Sequence, residues 1–159
     1  PMYYDYGDNV GYGEDGNVYQ DGEPVASAQQ YYDEANQIAA LGAESQNDEW
    51  LPLGVFGVVS EGQESTDRVA QLAINKEGVI RGNLHDVVAN TVVPITGAVD
   101  AKSQRVAMKI EGNDAAVVEA GLYNLTNDEV PVLLLFGPDQ QETRTLIRLS
   151  PPDEEQVQN

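Results

Sequence analysis

Between Trp50 and Ser150 the chain is an unbroken succession of short apolar runs, each closed by turn chemistry. The runs are Leu53–Val59, Arg68–Asn75, Val79–Val87, Thr91–Val99, Arg105–Ile110, Ala116–Tyr123, Val130–Phe136 and Thr143–Leu149. The links at 75–78, 100–103, 111–114, 126–129 and 137–140 are built from Gly, Asn, Asp, Pro and Ser, which supply the dihedrals a reversing chain needs. Runs recurring every ~8–14 residues in this way are the pattern of an all-β sandwich or barrel. No link is long enough for a helical crossover, so neighbouring strands should be antiparallel. The expected fold is therefore mainly β: an antiparallel up-and-down barrel of about eight strands, closed because closure removes exposed edges. A two-sheet sandwich is the competing architecture.

Alternation assigns faces. Val106, Met108 and Ile110 share one side of their run and should point inward, and so should Thr145, Ile147 and Leu149, opposite Arg144, Leu146 and Arg148. Leu53–Val59 and Val130–Phe136 are apolar on both sides, so something must cover their outer face. Pro94 and Pro131 cannot donate to a ladder and should sit at bulges or strand ends.

A chain of 159 residues fits one domain and buries enough surface for a core without staples. There is no cysteine, hence no disulfide or thiolate metal site. No stretch reaches the ~18 apolar residues of a membrane-spanning helix. The chain begins at Pro1, which reads as a processed or trimmed start. Formal net charge is −19, unevenly placed: residues 1–67 carry 14 acids and no base, whereas 68–159 carry 13 acids and all 8 bases. A field of that sign keeps the chain soluble and repels phosphate backbones and anionic lipid, which argues against nucleic-acid partners and membrane-surface binding; with no spanning stretch, membrane insertion is not expected either.

Upstream of the barrel, 1–26 forms an acidic arm rich in Tyr and Gly. Seven of the 8 tyrosines precede Asp33, which is unlike a disordered acidic tail. Asp21-Gly22 between Val18–Gln20 and Glu23–Val25 is a hairpin signal, and Asn9–Tyr12 with Asn17–Tyr19 forms a second pair around Glu14-Asp15-Gly16. The arm packs either on its own barrel or along a neighbouring molecule, with Tyr3, Tyr4, Tyr6, Tyr12 and Tyr19 as candidate self-association residues. Over 27–42 the spacing predicts one helix, opened by a Ser27/Gln30 capping box, stopped at Gly42 and laying Tyr31, Ala35, Ile38 and Ala39 on one face. That helix is the natural cover for Leu53–Val59 and Val130–Phe136. An acidic linker, 43–49, leads to Trp50, expected to plug the barrel rim, and 151–159 is a polar tail.

Catalytic chemistry is scarcely visible. His85 is the single histidine, which excludes multi-His metal sites, and its neighbour Asp86 should face the other side of the strand. There is no nucleophile elbow, phosphate-cradling loop or dinucleotide fingerprint. Asp5, Asp8, Asp15, Asn17, Asp21 and Glu23 are oxygen ligands by type but lack EF-hand spacing. Asn124-Leu125-Thr126 is a glycosylation sequon by pattern only. The expectation is a protein without cofactor, metal or catalytic residues.

Several segments together carry a resemblance: Tyr3–Val10, Val18–Ser27, Tyr31–Ala35, Trp50–Phe56, Leu72–Gly82, Gly97–Ala107 and Gly121–Leu125. As a set these resemble a group of planctomycete proteins labelled secreted or cell-surface, some as mu-protocadherin-like. The resemblance implies export and an extracellular or cell-surface location, and it brings no activity and no functional residues.

Two functions follow as expectations. One is a structural or assembly protein that self-associates through its arm as a homo-oligomer, layer or fibre, with the acidic arm complementing Arg68, Arg81, Arg105, Lys109, Arg144 and Arg148. The other is a small-molecule-binding barrel, which an open mouth and a cavity of some hundreds of Å³ would support.

Overall fold

The computed structural model describes residues 1–44, 49–60 and 67–149. The polar tail and most of the acidic linker lie outside the described residues. Three short strands come first: β1 (Val10–Tyr12), β2 (Asn17–Gln20) and β3 (Glu23–Ser27). Helix α1 (Ala28–Ala40) follows and runs into a 3-10 turn, Leu41–Glu44. The eight barrel strands are β4 (Leu51–Val59), β5 (Arg68–Ile74), β6 (Val79–Asp86), β7 (Thr91–Val99), β8 (Arg105–Ile110), β9 (Val117–Gly121), β10 (Glu129–Gly137) and β11 (Gln140–Arg148).

Each barrel strand pairs antiparallel with the next, and β11 returns to pair with β4 from Thr145↔Val59 to Arg148↔Phe56. The sheet is thus a closed barrel, not a sandwich. All eight apolar runs became strands within a few residues of their sequence limits. Pro94 and Pro131 lie at neither a bulge nor a strand end. Each sits just beyond one of its strand's two ladders: the β7–β8 pairing begins at Ile95, and the β9–β10 pairing spans Leu133–Leu135. A missing N–H removes no ladder bond there.

The arm is a three-stranded sheet in the order β1-β2-β3. Asp21 (φ 53°) and Gly22 (φ 84°) form the reversal between β2 and β3, both with the positive φ of a tight hairpin turn. At the helix start both capping-box bonds are present: Gln30 N donates to Ser27 Oγ (3.1 Å) and Ser27 N to Gln30 Oε1 (3.0 Å). Gly42 does not stop the helix with a left-handed residue. It lies inside the 3-10 turn, where a Cβ would overlap the carbonyl oxygen of Gly97 in β7. Its small size is required by contact, not by dihedral.

Two apolar cores result. Inside the barrel, Phe56, Leu72, Ile80, Val106, Met108, Val132 and Leu146 pack together. Outside it, Tyr4, Tyr6, Val10, Val18, Tyr31, Ala35 and Ile38 close over Ala98, Ala107, Val117, Leu133 and Leu135. The arm and helix therefore cover β7 to β10, including the outer face of Val130–Phe136. They do not reach Leu53–Val59, because β4 lies across the barrel; Leu53, Val55 and Val59 are half-buried without them, and the strand's first residue, Leu51, is 66% exposed.

On β8 the expected inward set, Val106, Met108 and Ile110, is observed. On β11 the parity is reversed. Leu146 is buried in the interior, Arg144 lines the interior cavity and Arg148 stacks on the interior Phe56, whereas Leu149 is 38% exposed. Two arginines on the inward face disguise the apolar side of that strand. Trp50 does not plug the rim either. It sits outside, half-exposed, 5.9 Å from the Arg81 guanidinium.

Candidate functional site

The two ends of the barrel differ. At one end, the 3-10 turn Asn124–Thr126 folds inward and buries Leu125. Arg148 crosses beneath it, 4.8 Å from the Phe56 ring, and donates to the carbonyls of Leu53 (3.0 Å) and Leu125. A guanidinium with both terminal nitrogens held by backbone oxygens is a fixed plug. The opposite end holds a cavity of about 270 Å³. Its apolar wall takes residues from all eight strands, among them Val58, Leu72, Leu84, Ile95, Met108, Val118, Val132 and Leu146, with Arg68, Asn113 and Arg144 as the polar members.

That cavity adjoins a polar cleft of about 430 Å³. Val58, Arg68 and Arg144 border both spaces, while Ser60, Asp67, Asp86, Val88 and Ala89 border only the cleft. Arg144 donates to Glu142 (2.7 Å) and to the Thr143 carbonyl (2.8 Å), which leaves part of its five-donor fork unspent. Arg68 approaches Asp86 at 3.8 Å. Asp86 also accepts from the N–H groups of Ala89 (3.0 Å) and Val88 (3.1 Å), which hold its carboxyl below the ordinary range. His85 is in register with Val69 and Val92 and shares no site with Asp86. A broad groove of about 790 Å³ also crosses the bare outer face near Trp50, Gln71, Arg81 and Asn83, but it lies open to solvent.

Under the arm lies the other chemical centre, which sequence reasoning missed. Glu119 on β9 is 0% exposed. Its Oε1 accepts from Arg105 Nε (2.8 Å) and Nη2 (2.6 Å), and its Oε2 from the hydroxyls of Tyr31 (2.6 Å) and Tyr6 (3.0 Å). Arg105 further donates to Glu34 (2.7 Å) and the Tyr31 carbonyl (3.1 Å), with its guanidinium 3.7 Å from the Tyr31 ring. Burial pushes the Glu119 carboxyl above its ordinary range, and Arg105 and the two hydroxyls oppose it. Four donors on two oxygens fill the acceptor sites of a carboxylate, so this geometry holds the ionised form. The signal was available: Val117-Val-Glu-Ala-Gly121 puts one acid in the middle of an apolar run, on the face opposite Val118 and Ala120.

The five tyrosines marked for self-association are placed as follows. Tyr4 is 1% exposed, its N–H on Asn124 Oδ1 (2.8 Å) and its hydroxyl on the Ser103 carbonyl (2.6 Å). Tyr6 is 8% exposed on Glu119, stacked 6.1 Å from Tyr4. Tyr12 is half-buried against Tyr31, and Tyr19 donates to Asp15 within the arm. Tyr3 is the most open of the five, 44% exposed and 6.3 Å from Tyr123, while Tyr12 and Tyr19 keep part of their surface. Tyrosines, not acids, dock the arm: among the described residues the ion pairs of Arg105, Arg144 and Arg148 go to Glu34, Glu119, Glu142 and Asp128, none of them in 1–26.

Among the described residues no three His, Cys, Asp or Glu converge as a metal site, and no helix is long and apolar enough to cross a membrane. No family model matches the chain, and neither a curated protein nor a solved structure matches it.

Proposed function

We propose that the protein is a non-enzymatic binding module that takes a small, mostly apolar molecule inside its barrel. The observation that carries this reading is the apolar cavity of about 270 Å³, plugged at one end and leading to a polar cleft at the other. Protein interiors are close-packed, so an open space of this size within an apolar wall departs from ordinary core packing. The same barrel fills its other half with Phe56, Ile80 and Leu125, so the space is not a general failure to pack. A concave apolar site with few polar groups is the usual form of a small-molecule site.

The test is titration with a neutral, environment-sensitive naphthylamine probe, comparing the parent chain with Leu84→Trp and Val118→Phe. Both substitutions place bulk in the cavity from different strands. Probe binding by the parent and its loss in both variants, at unchanged far-UV circular dichroism, supports the reading. A parent that leaves the probe dark, or folded variants that bind it equally well, refutes it.

A further inference from the structure

We infer that the ligand is an amphiphile: a medium-length alkyl chain lying in the cavity with a carboxylate head at Arg144 and Arg68. This deepens the binding reading above and rests on it. The tail follows from volume. A methylene occupies about the space of a water molecule, ~30 Å³, so about 270 Å³ takes roughly nine such groups. The head follows from how the two spaces meet. Among the described residues the side chains shared by the apolar cavity and the polar cleft are Val58, Arg68 and Arg144, whereas Asp67 and Asp86 border the cleft alone. A chain whose tail fills the cavity therefore brings its head first to guanidinium groups and only then to carboxylates. Arg144 is the nearer determinant. It stands opposite Val132 in the β10–β11 ladder, its side chain is 27% exposed, and its fork has donors beyond those given to Glu142 and Thr143. Planar guanidinium donors match a carboxylate in geometry as well as charge. The net charge of −19 works against any anion at long range, so the preference for an acid is local to this mouth.

The experiment is displacement of the naphthylamine probe from the whole chain by three series of linear amphiphiles: carboxylates from hexanoate to dodecanoate, and the matching alcohols and ammonium ions. Affinity should peak at octanoate to decanoate. The alcohol of equal length should bind roughly tenfold more weakly and the ammonium ion more weakly still, from the loss of one charge-assisted hydrogen bond. Arg144→Met should remove most of the carboxylate's advantage over the alcohol of equal length, measured as the ratio of the two affinities, and Arg144→Lys should keep part of the preference. Equal binding of carboxylate, alcohol and ammonium ion, or no effect of Arg144→Met, overturns the head-group assignment and leaves the cavity reading intact. Affinity that climbs steadily through dodecanoate overturns the length. A parent that binds the probe yet releases it to none of the three series overturns the amphiphile. A parent that binds neither probe nor amphiphile overturns both.

Discussion

Replacing Arg105 with methionine tests whether the buried ionic centre holds the arm and helix to the barrel. The substitution keeps much of the aliphatic bulk but removes both bonds to Glu119 Oε1, the bond to Glu34, the bond to the Tyr31 carbonyl and the stack on the Tyr31 ring. The Glu34 contribution is small, because that side chain is half-exposed and its ion pair is worth roughly 0–1 kcal/mol. The larger loss is a fully buried carboxylate left without its counter-charge, about 3–5 kcal/mol. A total near 4 kcal/mol is a large share of the roughly 5–15 kcal/mol that holds a domain together. Urea unfolding followed by circular dichroism should therefore show a much lower midpoint for Arg105→Met. Arg105→Met with Glu119→Gln should recover most of the loss, since the stranded charge is then gone. Acidification gives a second readout. With Arg105 absent, only the Tyr31 and Tyr6 hydroxyls oppose burial, so the folded-state pKa of Glu119 rises further above the unfolded value. A raised folded value contributes stability that is present below ~4.3 and lost as pH climbs through the folded pKa, so the variant should close on the parent as pH falls. A loss under about 1 kcal/mol, or a double variant no better than the single one, would refute the reasoning.

The same centre predicts an alkaline transition. Burial raises the hydroxyl pKa of Tyr4, Tyr6, Tyr12 and Tyr31, so their stabilising effect is intact below ~10 and lost as pH rises through the folded values. An ultraviolet phenolate titration should show these four ionising together with loss of structure, not before it. Gly42→Ala should cost about 1–3 kcal/mol by forcing the 3-10 turn off the β7 backbone, read as a lower melting temperature; an unchanged melting temperature would mean that contact is not tight.

Much of the architecture was legible because it rests on period and punctuation. The eight runs, the Asp21-Gly22 hairpin and the Ser27/Gln30 cap are local signals, and each appears where its residues stand. What the sequence hid depends on partners distant along the chain. β11 was assigned the wrong inward face because Arg144 and Arg148 look like solvent residues, yet one borders a cavity and the other closes a barrel end. Gly42 was read as a helix stop, although its constraint comes from Gly97, which no local pattern reveals. Glu119 looked like one acid among 27 until Tyr6, Tyr31 and Arg105 arrived from three other segments. A cavity cannot be read from a list of apolar residues, because it depends on how far their summed volume falls short of the enclosed space.

The closed ring of strands also limits how two copies of this chain can touch. Every barrel strand pairs with a neighbour at both sides, so among the described residues the barrel has no edge strand, although β11 meets β4 only from Thr145 to Arg148. Among the described residues the remaining margin belongs to the small sheet of the arm, and there β3 carries Glu23, a charge, and Pro24, which lacks a donor. Contacts made by the barrel wall are therefore contacts of side-chain surfaces, whereas among the described residues β1 (Val10–Tyr12) is the arm sheet's other edge.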